Sequence, residues 1–249
     1  MKRLIINADD FGFTQEVNAG IVYAHLEGVL TSTTLMATGD AFEDAVSLAH
    51  SHPSLDVGCH LVLVQGRSLI TGRAFPAAPQ QLVPSLLAKR LDIEAELRAQ
   101  IEKIIAAGIQ PSHLDSHKHT HFLPPVFRAA LRLAREFRIP YVRVPGSVLS
   151  RSYQRTARKY GVRTTDHFVG FRLTGSLNER NFIDALRRLR PGTTEFMCHP
   201  GYFGPQLASA QTRLKESRLK ELEALTSPRV RALIGELAIE LRSFRDCAR

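Results

Sequence analysis

The chain has 249 residues, 44% of them hydrophobic, and its 33 Lys and Arg against 24 Asp and Glu give a formal net charge of +9. This length is typical of an α/β barrel and allows a substantial core in one domain, which we expect to span residues 1–249. Three scattered cysteines exclude a disulfide framework, and no stretch approaches the roughly 20 apolar residues of a membrane span. The amino-terminal MKRLIINADD reaches an acid before a signal peptide's apolar core could form, so we expect a cytoplasmic protein without integral membrane association.

Eight short segments rich in Val, Ile, Thr and Phe have the composition of β-strands. In chain order they are 3–7, 31–37, 56–64, 112–119, 141–145, 166–170, 193–199 and 238–244. Between them, helical patterns run over 15–26, 40–51, 93–107, 124–138, 178–190 and 211–226. The clearest helix is 93–107, where apolar residues recur on one stripe, Asp92 is a candidate N-cap and Gly108 a candidate stop.

Strands and helices in regular alternation predict βαβ units and a mostly parallel sheet. With seven or eight strands in this length, a TIM-like barrel is favoured over an open sheet. The stretch 65–87 is rich in Gly and Pro but carries apolar residues throughout. We interpret it as a long loop or lid over a site rather than a domain linker.

Basic residues cluster at 151–163 and 187–190. Such clusters can bind the phosphates of nucleic acid or of anionic lipid. Because no aromatic interleaving and no nucleic-acid motif accompanies them, we interpret them as a solvated basic surface. We therefore expect no nucleic-acid partner.

Polar side chains collect near the ends of several predicted strands. Asp9 and Asp10 follow the first strand, His60 lies in the third, Arg143 is near the end of the fifth, and His199 ends the seventh. The carboxyl ends of barrel strands converge on one mouth, where acids and imidazoles would suit a metal-centred hydrolase. Each residue also has a simpler structural explanation, namely turn chemistry for the paired acids, a hydrogen-bonded core position for His60 and strand closure for His199.

The segment HLDSHKHTH (113–121) points more specifically to a metal. In an extended chain its alternation places five titratable residues on one face: His113, Asp115, His117, His119 and His121. Crowding them costs desolvation and, when they are charged, repulsion, and a cation bound by neutral imidazoles relieves both. The alternative is a solvated His-rich loop.

Cys59 and Cys198 each precede a histidine, which suggests a zinc site built on thiolates. Neighbouring residues on a strand point to opposite faces, however. If His60 and His199 face the mouth, both thiols face the helices, and we expect them to be buried.

The chain resembles the YdjC-type carbohydrate deacetylases, a group that includes chitooligosaccharide and hopanoid-associated deacetylases, and the likeness runs from residue 1 to about residue 244. The resemblance is carried by motifs that occur in family order. They are ADDFG (8–12), TSTTLMATGDAFEDAVSLA (31–49), GCH (58–60), DSHKHTH (115–121), MCHPGY (197–202) and ESRLKELEALTSPRV (216–230). Their combination is specific, whereas any one alone is weak.

This resemblance implies an irregular (β/α) barrel that hydrolyses the N-acetyl group of an amino sugar with one divalent cation. Position by position, Asp10 matches the metal carboxylate, and His60 and His117 match the two metal imidazoles. Asp9 matches the proposed catalytic base, and His199 matches a late histidine acid that would protonate the leaving amine.

Three further residues complete the expected site. Arg143 matches an arginine kept near the base. Asp115 is expected to orient an imidazole through its far nitrogen. His119 can replace His117 as a ligand if the register differs by one pleat.

A cation bound by one carboxylate and two imidazoles keeps open coordination positions, as a catalytic metal does. The ligand types favour Zn²⁺, whereas the family resemblance implies Mg²⁺. The expected partner is a small N-acetylated sugar. We expect segment 65–87 and the region after Tyr202 to determine which sugar binds. Relatives suggest that a homodimer can form. A metal-dependent phosphoesterase or a cyclic-amide hydrolase is the alternative enzyme, since His-x-His on a barrel strand also serves those reactions. A basic nucleic-acid-binding or anionic-membrane-binding protein is a third interpretation.

Overall fold

The central strand of the sheet is β1 (Lys2–Phe11). Its residues are buried from Leu4 onward, because other strands pair with both of its edges and helices cover its outer face. The computed structural model describes residues 1–87, 91–147 and 149–248. The other strands are β2 (Ser32–Leu35), β3 (Asp56–Leu61), β4 (His113–Ser116), β5 (Tyr141–Val142), β6 (His167–Val169), β7 (Gly192–Cys198) and β8 (Ile239–Leu241). All eight predicted strands are confirmed, although most are shorter than predicted.

The sheet has the strand order β5-β4-β3-β2-β1-β7-β6, and β8 pairs with the beginning of β1. Every pairing between these strands is parallel. The predicted parallel sheet is therefore confirmed. In such a sheet all the carboxyl ends of the strands lie at one edge, which is where the predicted site residues were expected.

The sheet is strongly curled, because side-chain contacts join strands that are far apart in this order. Arg143, directly after β5, donates to Asp9 of β1 and to Glu195 of β7, at 2.7 Å in each case. Three strands separate β5 from β1, and at about 4.8 Å per strand a flat sheet would place them roughly 19 Å apart. Within the described ranges no pairing joins the end strands β5 and β6, so the irregular barrel is confirmed.

Eleven helices are described, and six of them correspond to predicted segments. In chain order the helices are α1 (Gln15–Leu26), α2 (Phe42–Ser51), α3 (Pro79–Leu87), α4 (Ile93–Ala106), α5 (Pro124–Glu136), α6 (Ser150–Lys159), α7 (Glu179–Arg187), α8 (Pro205–Ser209), α9 (Ser217–Leu225), α10 (Pro228–Glu236) and α11 (Phe244–Ala248). The ends of α4 are confirmed: Asp92 accepts a hydrogen bond from the Ala95 amide, and Gly108 has a φ of +81°. The segment 65–87 is not a loop throughout, because α3 occupies its second half.

The alternation along β1 separates a polar barrel interior from the apolar layer under the helices. Leu4, Ile6 and Ala8 belong to the main hydrophobic core, whereas Asn7 and Asp9 point inward. Cys59 and Cys198 are buried free thiols in the same core, which confirms that they face away from the mouth. None of the described helices combines the length and apolar character needed to cross a lipid bilayer.

The floor of the barrel is apolar and closes the interior at the amino-terminal ends of the strands. Ile5, Tyr141 and Phe244 form a small buried cluster there, with Phe244 supplied by α11. The ring of His113 stacks on Phe244 with a centroid distance of 3.8 Å and an angle of 18°. Polar groups deeper than the mouth are thus shielded from water on every side, which makes their hydrogen-bond partners decisive.

Candidate metal centre and active site

The two adjacent aspartates reach the same mouth because β1 contains a bulge. Ala8 pairs with Thr33 and Phe11 with Leu35, so β1 carries one more residue than β2 between these two pairs. Asp10 lies in this bulge with a φ of +72°, a left-handed conformation that is unfavourable for a residue with a Cβ. Regular alternation would have turned Asp9 and Asp10 to opposite faces, and the bulge re-aims Asp10 toward the site.

Three of the predicted residues, Asp10, His60 and His117, meet at this mouth. Asp10 Oδ1 lies 3.3 Å from His60 Nε2 and 3.0 Å from His117 Nδ1. One atom from each residue lies within 4.8 Å of the other two, which is close enough for a single cation to contact all three. The predicted ligand set is therefore brought together by the ends of β1 and β3 and by the turn after β4.

Hydrogen bonds on the far side of each imidazole leave the inner nitrogens available as ligands. His60 Nδ1 lies 2.7 Å from Asp115 Oδ1, and His117 Nε2 lies 3.1 Å from Gln65 Oε1. Both of these acceptors are oxygens, so the far nitrogens can keep their protons while the inner nitrogens, which face Asp10 Oδ1, give up theirs to bind a cation. His60 Nε2 is buried and has no hydrogen-bond partner, so this donor set fits a divalent cation. The imidazole that Asp115 orients is that of His60.

The second oxygen of Asp10 is held by a residue that sequence reasoning did not single out. Arg218 Nη2, from α9, donates to Asp10 Oδ2 at 2.5 Å, and both side chains are buried. Burial alone would raise the pKa of Asp10, but Arg218 and His117 hold that pKa well below its ordinary value. Asp10 is thus an anion with one oxygen committed to Arg218 and the other facing the imidazoles.

Asp9 belongs to a second buried network, which is centred on Arg143 and joined to His60 through Asp115. Arg143 donates to both oxygens of Asp9 at 2.7 Å, to Glu195 Oε1 at 2.7 Å, and lies 2.8 Å from Asp115 Oδ2. The predicted proximity of Arg143 to Asp9 is therefore present. Asp9, His60 and Asp115 also lie close enough to hold a cation, but the guanidinium already bridges the two carboxylates, so the group containing Asp10 is the better metal centre.

The Arg143 network contains more acids than one guanidinium can neutralise. Burial raises the pKa of Glu195 to about 7, although Arg143 opposes the shift, and Glu195 Oε2 has no hydrogen-bond partner. Burial also raises the pKa of Asp115. Burial would likewise raise the pKa of Asp9, but Arg143 lowers it far below the ordinary value. Asp9 is therefore the acid of this network that is most firmly held as an anion, and it lies at the side nearest the mouth.

His199 lies at the end of β7, beside Asp9. Its Nε2 atom is 4.0 Å from Asp9 Oδ2, and its Nδ1 atom is buried without a hydrogen-bond partner. Burial lowers the pKa of His199 to about 4, even though Asp9 and Asp10 act in the opposite direction. The imidazole is consequently neutral at pH 7 and able to accept a proton.

The predicted extended face of HLDSHKHTH is wrong, because β4 ends at Ser116. His117–Phe122 form a 3-10 turn in which Lys118 and His119 have left-handed φ values of +51° and +54°. The Ser116 hydroxyl accepts a hydrogen bond from the His121 amide at 2.9 Å, and such local bonding competes with strand pairing. The turn brings His117, rather than His119, to Asp10.

The other three histidines of the segment have structural contacts. His119 stacks on Phe122, with 5.1 Å between ring centroids and an angle of 8°, and lies outside the candidate ligand group. His121 Nδ1 bonds the Ser116 hydroxyl at 2.6 Å. His113 Nε2 bonds Asn7 Oδ1 at 2.9 Å, beneath the site. Of the four histidines, His117 is the one that lies in the candidate ligand group, which the repeat alone could not show.

A cavity of about 600 Å³ opens beside the candidate metal centre. His117 lies in its wall, so a molecule in the cavity would reach the centre directly. Further wall residues combine apolar surface with amide, hydroxyl and carboxyl groups: Phe13, Met36, Val62, Thr38, Asp40 and Gln206. Such a mixture suits a ligand that has apolar faces and many hydroxyl groups.

Comparison with known proteins places this geometry in a family. The family model described as YdjC-like protein matches residues 3–236. The chain belongs to the YdjC-like family. This confirms the resemblance that its motifs carry.

Relatives in the YdjC-like family are named as deacetylases. The chain is 40% identical over 250 residues to "Carbohydrate deacetylase" of Geobacillus stearothermophilus, covering 97% of this chain and 96% of that one. It is 34% identical over 262 residues to "Chitooligosaccharide deacetylase" of Yersinia enterocolitica, covering 99% of each chain. Deacetylases are hydrolases, so the prediction of a hydrolase is confirmed at the level of the family.

A solved structure extends the family match to the fold. A crystal structure from Enterococcus faecalis V583, provisionally described as a cellobiose-phosphate cleavage protein, has a TM-score of 0.87 and 29% identity, covering 99% of this chain and 98% of that one. The similarity spans both chains almost completely. The curled sheet and its mouth are therefore a shared architecture.

Proposed function

We propose that this YdjC-like protein is a metal-dependent deacetylase that removes the N-acetyl group from an amino sugar. The observation that carries the proposal is the placement of one nitrogen from each of two imidazoles beside one oxygen of Asp10 at the barrel mouth. The names of the relatives support the reaction class and a sugar substrate, and an acetyl group on nitrogen is what a chitooligosaccharide carries.

Asp10, His60 and His117 are the residues that would hold the cation. A divalent cation bound there would polarise the acetamide carbonyl and lower the pKa of a bound water. Two imidazoles favour Zn²⁺, whereas Mg²⁺ prefers oxygen ligands, so we propose zinc as the first cation to test. Arg218 occupies the second oxygen of Asp10 and restricts that carboxylate to one ligand atom.

Asp9 and His199 are the residues that we propose to move the proton. A carboxylate has about four lone-pair positions; Arg143 occupies one on each oxygen of Asp9 and Asn7 Nδ2 a second on Oδ1, so Oδ2 can still accept from a water. His199 is neutral at rest, and its Nε2 atom lies 4.0 Å from Asp9. The proton that leaves the attacking water passes through Asp9 to His199 Nε2, and His199 then donates it to the departing amine as the C–N bond breaks. This order explains how a histidine with a low pKa serves as the acid.

The cavity beside His117 is the proposed sugar site. Its volume of about 600 Å³ lies in the range of small-molecule sites, roughly 300 to 1,000 Å³. Phe13 and Met36 offer apolar surface for the faces of a sugar ring, and Thr38, Asp40 and Gln206 offer partners for hydroxyl groups. The acetamide would then point from the cavity toward His117.

The proposal is tested by measuring acetate release. Zinc-loaded and chelator-stripped protein would be incubated with N-acetylglucosamine oligomers of one to five rings, and with phosphate monoesters and a cyclic amide in parallel. We expect acetate from at least one oligomer, only with the metal present, and no phosphate or ring-opened product. Release of phosphate or opening of the cyclic amide, without acetate from any oligomer, would favour the alternative hydrolases.

A further inference from the structure

Helix α9 presents two buried charged side chains to the active site. Arg218 and Glu221 are three residues apart and therefore lie on the same face of the helix, and each is 1% exposed. Lys220 and Glu223 on the opposite side are exposed. Burial raises the pKa of Glu221 to about 7, and burying a guanidinium and a carboxyl group on one helix costs stability unless each is engaged by a partner. Arg218 is engaged by Asp10, and Glu221 is engaged by the backbone amide of His199.

Arg218 is held at its Nε atom and along its aliphatic part before it reaches Asp10, whereas its Nη1 atom is buried without a hydrogen-bond partner. Its Nε atom donates to the Leu214 carbonyl at 3.2 Å, and its guanidinium carbon lies 5.8 Å from the centre of the Phe13 ring. A Cβ at Gly201 would stand 3.3 Å from Arg218 Cδ, so the side chain runs closely against this glycine. With the guanidinium held in this way, its 2.5 Å bond to Asp10 Oδ2 determines the rotation of the carboxylate.

Glu221 ties the end of β7 to the loop that follows β6. Its Oε2 atom accepts from the backbone amide of His199 at 2.6 Å, and its Oε1 atom accepts from the amide of Gly175 at 3.3 Å. The bond to His199 is made at the peptide and leaves the imidazole free. Glu221 therefore sets where the histidine stands without touching the ring that we propose to carry the proton.

We propose that α9 is the positioning element of this active site, in which Arg218 fixes the oxygen that Asp10 offers to the cation and Glu221 fixes the peptide that carries His199. This role rests on the proposed function. The two residues act on different partners, so their substitution should produce different defects. Loss of Arg218 should weaken cation binding, whereas loss of Glu221 should slow turnover with cation binding intact.

The proposed role of Arg218 is tested by titrating Arg218→Met with Zn²⁺ in the absence of substrate. Removing a residue that orients a metal ligand costs about 10- to 100-fold in affinity, and we expect a loss in that range. Lys220→Met, on the exposed side of the same helix, removes the same charge and should keep the affinity of the wild type. Arg218→Lys should recover part of the loss because it restores the charge near Asp10 but cannot also hold the Leu214 carbonyl. Wild-type zinc affinity in a folded Arg218→Met protein would overturn the proposed role of Arg218.

The proposed role of Glu221 is tested with Glu221→Gln. The glutamine side chain has the same size as that of glutamate but offers only one acceptor oxygen for two backbone amides. We expect zinc affinity within about twofold of the wild type and a fall in kcat of about 100-fold, the cost of a small misplacement of a reacting group. Glu223→Gln is the matched control and should change neither quantity. Equal losses of zinc affinity in Glu221→Gln and Arg218→Met would overturn the division of roles and indicate general damage to the helix.

Thermal unfolding of each variant shows whether it folds. If Arg218→Met does not fold, Arg218→Lys still tests the role of Arg218. The failure of this inference can be told from the failure of the proposed function. Wild-type protein that binds zinc and releases acetate, together with unaffected variants, overturns the inference alone. Wild-type protein that binds zinc but releases no acetate overturns the proposed reaction, and the zinc titrations then still decide the role of Arg218.

Discussion

Arg143 binds Asp9 through both of its terminal nitrogens, with Nη1 2.7 Å from Oδ2 and Nη2 2.7 Å from Oδ1, and neither side chain is more than 4% exposed. The same guanidinium contacts Asp115 and Glu195. A buried cation shared by three acids offsets part of a charge that no solvent screens. It also holds the Asp9 carboxylate in one orientation at the mouth, so the network determines both stability and the geometry of the site.

Replacement of Arg143 by Met should be strongly destabilising, because it leaves several buried acids without a counter-charge. We expect a loss of about 3–5 kcal/mol in the free energy of unfolding, measured by urea denaturation at pH 7. Arg98→Met is the control, since Arg98 pairs with Glu136 at the surface and both are partly exposed. It should change the stability little. Equal losses in the two variants would show that burial of the Arg143 network is not what makes it important.

Asp9→Asn should separate catalysis from metal binding. The amide retains the shape of the carboxylate but cannot take the proton of a water, and we expect turnover to fall by about 10²- to 10⁴-fold. Because Asp9 lies outside the Asp10 group, zinc content should stay at the wild-type level. Acetate release and metal analysis of the same purified sample provide the two measurements. Near-normal turnover in this variant would remove Asp9 from the role of base.

Two alanine substitutions distinguish the histidines of the 3-10 turn. His117→Ala removes a ligand atom that lies 3.0 Å from Asp10 Oδ1 and should abolish stoichiometric zinc binding. His119→Ala removes a ring that stacks on Phe122 and should retain most of the zinc. Metal analysis after dialysis is the measurement, and each variant is the control for the other. The reverse pattern would exchange the two assignments.

Local patterns predict the strands and the polar mouth, whereas the choice of Asp10, His60 and His117 as the ligand set came from the family resemblance. Short β-rich segments specify the strands, and the polar residues at strand ends mark the mouth. The bulge in β1 was not predicted, since it depends on how β1 pairs with β2 rather than on the letters ADDFG. The end of β4 at Ser116 was missed for a related reason. The period-two pattern favours a longer strand, but the Ser116 hydroxyl forms hydrogen bonds with the following turn that end the strand.

Arg218 and Glu221 show a different limit of sequence reasoning. Both lie in the motif ESRLKELEALTSPRV, which the family resemblance includes, but charged residues on a helix are usually exposed. Nothing in the local pattern distinguishes them from Lys220 and Glu223, which are exposed in the same helix. Only the tertiary contact with β1 and β7 identifies the inward pair. The same holds for Glu195, whose inward position follows from the alternation of β7 but whose partner Arg143 is 52 residues away in the chain.

The affinity for zinc should increase with pH, because the cation must displace a proton from His60. Burial opposes charge on this imidazole, but Asp115 and Asp10 raise its pKa to about 10 when no cation is bound. Below that pH the ring is protonated, and each bound zinc releases one proton. We expect apparent affinity to rise about tenfold per pH unit between pH 7 and 8.5. Calorimetry in two buffers of different ionisation enthalpy checks the proton release, and a pH-independent affinity would contradict it.

Gly58, the first residue of the GCH motif, has a packing role that a stability measurement can isolate. A Cβ at this position would lie 2.5 Å from the ring of His113, which is held between Ser112, Asn7 and Phe244 and cannot move aside. Gly58→Ala should therefore lower the free energy of unfolding by about 1–3 kcal/mol, as overpacking does in other cores. Gly235→Ala is the matched control, because its Cβ would meet no atom within 4 Å inside α10. Alanine there should stabilise the helix by about 0.5–1 kcal/mol. If both substitutions changed stability equally, contact with His113 would not be the reason for glycine at position 58, and the motif would have to be explained by His60 alone.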